Sequence, residues 1–64
     1  MTVHAAPISY DIPGAAAAVG LHPDSIRRAL REKELTARFF NSKRLIGHDE
    51  LTAWFRALPV DRPA

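Results

Sequence analysis

The chain contains no cysteine. Disulfide staples, thiolate metal sites and a cysteine nucleophile are therefore excluded. Histidine is sparse and scattered. His4, His22 and His48 share no HxxxH or HxH spacing, so neither a metal site nor any other cofactor is expected. No apolar run approaches the roughly 18 residues that a membrane span requires. Met1–Pro7 carries no Lys or Arg and leads into no apolar stretch, so it does not read as a secretory signal, and a cytoplasmic protein is expected. Catalytic apparatus is thin as well. Ser9, Ser25 and Ser42 lie near no convincing His–acid arrangement, and there is no glycine-rich phosphate loop, so an enzyme is not expected. With 64 residues the chain can enclose one small core, which alone contributes little stability.

Charge is what the chain does have, and it is unevenly placed. Arg27, Arg28, Arg31, Lys33, Arg38, Lys43 and Arg44 crowd one stretch that holds only Glu32 and Glu34 as acids. That stretch carries +5; since the whole chain is +2, the remainder carries −3. A basic segment in acidic surroundings suits a face that meets a polyanion.

The pattern predicts one domain over residues 10–58, between a flexible lead-in of residues 1–9, with Ile8–Tyr10 extended, and a loose tail of residues 59–64. Asp11 reads as a helix N-cap with Pro13 in the first turn, where its missing N–H costs nothing. Ile12, Ala15, Ala16 and Val19 form a helical stripe, and Gly20 reads as the stop. The small residues Ala15–Ala18 predict a close crossing by a second helix. That helix opens at His22-Pro23, with His22 as cap and Asp24 at the positive end of the dipole. Ile26, Ala29, Leu30 and Lys33 form its inward stripe, closed by Leu35. Asp24, Arg28 and Arg31 point the opposite way, with Arg27 on the flank.

Thr36–Phe40 and Arg44–Ile46 flank a polar Asn41–Lys43 turn and read as a two-stranded hairpin. Phe39 and Phe40 are adjacent, so they point to opposite faces, and one of them is expected at the surface. A third helix opens at Gly47–Glu50 with Asp49 and Glu50 in its first turn. Leu51, Trp54, Phe55 and Leu58 give it an apolar stripe, read as core, and Pro59 ends it. The expected fold is mainly α with a small β-hairpin: helix-turn-helix, two-stranded wing, C-terminal helix.

This order suits duplex DNA. A small residue in the first helix permits a close crossing, glycine turns the chain, and the second helix anchors on one side while the other stays free for a major groove. The candidate contacts on that helix are Ser25, Arg27, Arg28 and Arg31. The arginines suit phosphates, and Arg28 suits a bidentate contact to guanine. Asn41, Ser42, Lys43 and Arg44 place two cations and two short hydrogen-bonding side chains at the hairpin tip, suited to phosphates or a minor groove. His22, Asp24 and Arg38 are weaker candidates. His22 has a capping role, Asp24 a dipole role, and Arg38 can face either way on its strand. Two other readings are open: a prophage-type transcriptional repressor, and an adaptor that docks an acidic protein rather than DNA.

Asp11–Ala16, Val19–His22, Ser25–Arg28, Arg44–Ile46 and Asp49–Phe55 together resemble the excisionase-type branch of the MerR-like winged-helix domains. The resemblance spans about Tyr10 to Leu58 and is carried by the helix-turn-helix and by the closing Asp49-Glu50-Leu51-Thr52-Ala53-Trp54 helix. The chain departs from the family's pattern in its Asn41-Ser42 turn, where a glycine pair is common, and in Pro13-Gly14, where acids are usual. The resemblance implies a recognition helix in the major groove and a wing at the backbone or minor groove. For phage excisionases it also implies cooperative binding to tandem sites, DNA bending and an integrase partner.

Overall fold

The computed structural model describes residues 7–61. The elements run β1 (Ser9–Tyr10), α1 (Ile12–Val19), α2 (Pro23–Arg31), β2 (Arg38–Phe40), β3 (Lys43–Gly47) and α3 (His48–Arg56). They form a small α/β domain of three helices and one three-stranded antiparallel sheet in the order β1-β3-β2.

Local chemistry accounts for both ends of α1. The Asp11 carboxylate accepts from the Gly14 backbone N–H at 2.7 Å, filling one of the donors a helix start leaves unpaired. At the other end Gly20 takes φ 78°. Its N–H donates to the Ala17 carbonyl at 3.2 Å and the Leu21 N–H to the Ala16 carbonyl at 2.8 Å, a Schellman ending. Helix α2 starts as the sequence suggests, with His22 Nδ1 accepting from the Asp24 N–H at 3.1 Å and Pro23 in its first turn.

The end of α2 differs from expectation. The helix stops at Arg31, and Lys33, assigned above to its inward stripe, is exposed in a left-handed turn at φ 62°. The Lys33 N–H donates to the Leu30 carbonyl at 3.1 Å and the Glu34 N–H to the Ala29 carbonyl at 2.9 Å. This is the same Schellman geometry as at Gly20, reached without glycine. The reversal turns Leu35 back into the core.

The sheet also differs. The expected hairpin is present, but its first strand begins at Arg38 rather than Thr36. A third strand, β1, comes from the stretch assigned to the lead-in. Tyr10 pairs with Ile46 and Ser9 with Gly47, and the His48 N–H donates to the Ile8 carbonyl at 2.8 Å. The extended conformation expected for Ile8–Tyr10 is found at Ser9–Tyr10, but two residues are too few to show a period, so nothing in the sequence marked this segment as part of the sheet. Its effect is to divide β3: Lys43–Leu45 pair with β2, and Ile46–Gly47 pair with β1. The hairpin expected as a wing is thus the outer half of the sheet, and the inner half is braced by β1.

The core comprises Ala15, Ala16, Ile26, Ala29, Leu35, Ile46 and Leu51, all buried. Three alanines from α1 and α2 belong to it, as a close crossing of those helices requires. Tyr10, Ile12, Val19, Leu30, Ala37 and Trp54 pack around them. Phe55 departs from its expected core position and is 52% exposed. It shares a shallow depression with Ala18 and Val19 of α1, and those side chains are too short to cover a phenyl ring. Phe39 and Phe40 are both exposed, where one was expected to be.

Candidate nucleic-acid interface

The inward anchor of α2 is Ile26 and Ala29, both buried, with Leu30 half-buried. Turning that stripe inward leaves Asp24, Arg27, Arg28, Arg31 and Glu32 exposed, with Ser25 half-buried among them. These six residues line one open depression along the helix. The helix therefore has one face fixed by apolar packing and one face carrying arginines.

The arginines are not equivalent. Arg27 Nη1 lies 2.7 Å from Asp24 Oδ1, and Arg28 Nε lies 3.5 Å from Glu32 Oε2. Among the described residues Arg31 makes no ion pair. The two helical pairs are solvent-exposed, and such pairs are worth about 0.3–0.5 kcal/mol. A phosphate that approaches Arg27 or Arg28 displaces a weak partner, whereas Arg31 has none to lose. Asp24 serves two groups through three contacts: its N–H donates to His22 Nδ1, its Oδ2 lies 3.6 Å from that same nitrogen, and its Oδ1 holds Arg27. Both His22 and Asp24 are thus occupied with the start of the helix.

The wing turn is two residues long, since Phe40 pairs with Lys43. Asn41 takes φ 56°. Asparagine tolerates this region better than most residues, which explains how the turn closes without glycine. Lys43 and Arg44 are exposed at the start of β3, and Asn41 and Ser42 are exposed at the tip. Among the described residues neither cation has an acid partner.

Residue pairing fixes which way the wing side chains face. Arg44 lies across from Phe39 and two residues from Ile46, so these three share the core side of the sheet. Arg44 and Phe39 line a groove with Leu30 at the end of α2 and with Lys33 just after it. The hairpin's inner face therefore adjoins the C-terminal end of α2, where Lys33 and Arg44 line one groove, and Arg31 lies on the last turn of the helix, in the depression along its outward face. Lys33 is the residue that the sequence reading missed. Only its membership of the basic stretch pointed to it, because the helical period placed it inward.

Arg38 lies on the other side of the sheet. Its Nη2 meets Glu50 Oε2 of α3 at 3.2 Å. That pair ties β2 to α3 and separates Arg38 from Arg44; Lys43, across from Phe40, shares the side of Arg38.

Among the described residues no group of His, Asp and Glu side chains is arranged to hold a metal ion, and no helix is long and apolar enough to cross a membrane. Comparison with family models, with curated proteins and with solved structures finds no match to this chain.

Proposed function

We propose that this protein is a winged-helix DNA-binding protein that lays α2 in the major groove of a duplex and sets its wing on the flanking backbone or minor groove. One observation carries the reading. Arg31 lines the depression along the outward face of α2, Lys33 and Arg44 line the groove between the end of that helix and the hairpin, and none of the three has an acid partner among the described residues. Phosphates would supply the missing counter-charge. Arg27 and Arg28 can add to it by leaving their weak helical partners, and Ser25 is close enough along the helix to hydrogen-bond a phosphate or base edge. Asn41, Ser42 and Lys43 extend the contact along the wing.

The resemblance in sequence to excisionases supports a narrower role: an architectural protein that binds tandem sites cooperatively, bends DNA and directs an integrase toward excision. A module of this size buries about 600–1,000 Å² on DNA, so firm occupancy needs several copies side by side. A prophage-type repressor would use the same surface differently. Footprints over tandem direct repeats beside an attachment site support the excisionase role, and footprints over an inverted repeat at a promoter support the repressor.

The DNA-binding reading is tested by fluorescence anisotropy on labelled duplex with the Arg28→Ala/Arg31→Ala variant. Both side chains are exposed, so the circular dichroism spectrum is expected to stay native while affinity falls by at least tenfold. Unchanged affinity in a folded variant would contradict the reading and favour an adaptor for an acidic protein.

A further inference from the structure

We propose that the wing is a base-stacking wedge: Phe40, assisted by Phe39, inserts between base pairs of the bound duplex and kinks it. This inference rests on the DNA-binding reading and assigns a deformation step to two side chains that play no part in the core.

Phe39 and Phe40 are 71% and 68% exposed. Rings this exposed remove little apolar area from water on folding and so contribute little to it. Phe40 directly precedes the Asn41-Ser42 turn, so it stands at the tip of the unbraced half of the sheet. The rings project to opposite faces of the ribbon, and each has a cation across from it: Arg44 opposite Phe39, and Lys43 opposite Phe40. Among the described residues the aromatic ring contact is Tyr10 with His48, at the braced end of the sheet. Both wing rings are therefore without an aromatic partner.

A ring flanked by an unpaired cation on each face of a narrow ribbon sets a demanding pattern for a partner. A protein surface would have to cover both rings and also offer acids to Lys43 and Arg44. A nucleic-acid duplex offers both in a fixed arrangement, phosphates at the groove edges and base π-faces between them. Apolar side chains that enter a base step unstack it and bend the duplex, most cheaply at pyrimidine–purine steps. The groove between Phe39, Arg44, Lys33 and Leu30 joins the end of α2 to the hairpin, so a duplex held by α2 meets Phe39 on that face and reaches Phe40, which projects from the other face of the ribbon, at the tip beside the turn.

The test uses the full chain and a short AT-rich duplex that carries 2-aminopurine at its TA steps and a dye pair at its ends. Binding of the wild-type chain is expected to raise 2-aminopurine fluorescence, which reports unstacking, and to shorten the distance between the ends. Phe40→Ala should lose most of both signals and roughly tenfold in affinity, in line with the loss of one stacked base. Its salt dependence should match the wild type, because the phosphate contacts are untouched. Phe40→Trp should retain both signals. Binding by the wild type with no rise in fluorescence and no bend would overturn this inference and leave the DNA-binding reading intact. So would a Phe39→Ala/Phe40→Ala variant that unstacks and bends normally, or one whose defect in sedimentation is lost self-association with unstacking preserved. Failure of the wild type to bind the duplex at low salt would overturn both readings together.

Discussion

Two left-handed residues, Gly20 at φ 78° and Lys33 at φ 62°, end α1 and α2 with the same hydrogen-bond pattern and different chemistry. A residue with a Cβ pays about 1–2 kcal/mol in this region, and glycine does not. Lys33→Gly should therefore stabilise the domain by about 1 kcal/mol, raising the melting temperature by roughly 4–8 °C, while lowering affinity for DNA. A thermal melt and a titration on the same variant check both halves, and a drop in melting temperature would refute the first. Gly20→Ala should lose about 1 kcal/mol. An added methyl would meet nothing within 4 Å, so the whole cost is backbone strain, seen as a lower urea midpoint at unchanged slope. These two positions also show what single residues disclose in a sequence. Asp11 and Gly20 were legible because capping and turning each select a short list of residue types, and His22 because Pro23 after it marks the first helical position. Lys33 was not, because a left-handed lysine has no compositional mark.

At the scale of elements, α2 carries its own counter-charges. Asp24 and Glu32 hold Arg27 and Arg28 against the helix. Glu32→Gln should free Arg28 and remove a repulsive charge, raising affinity for duplex DNA roughly twofold, the equivalent of about 0.4 kcal/mol. Anisotropy at fixed salt measures this, and a fall in affinity would indicate that Glu32 positions Arg28 rather than restraining it. The wing depends on a different pair. Arg38 and Glu50 link β2 to α3, and Glu50 also folds over Gly47 at the start of α3. The three helices and the hairpin were legible from period and turn chemistry. The exposure of Phe55 was not, since the stripe it belongs to is real but the opposing side chains, Ala18 and Val19, are small. Nor was the exposure of Phe39, which lies on the core side of the sheet but beyond the part that β1 and Ile46 anchor.

In the molecule as a whole, the buried stripe of α2 and the divided sheet have a joint consequence. Burying Ile26 and Ala29 turns the arginines out, and pairing β1 with the inner half of β3 leaves the outer half as a hairpin beside the end of α2. The basic stretch in the sequence predicted that one face would be cationic. It could not show that Arg38 would be drawn to the far side of the sheet by Glu50, because that depends on which residues of the strands pair. The central claim is that Arg31 of α2 and Arg44 of the wing contribute to one phosphate-binding surface. It is tested most directly by the salt dependence of duplex affinity in the wild type, Arg31→Ala, Arg44→Ala and the double variant. Each lost phosphate contact should flatten the log–log slope by about 0.9, so each single variant should lose about that much and the double variant about twice as much. A wild-type affinity indifferent to salt, or a double variant with the wild-type slope, would contradict the account.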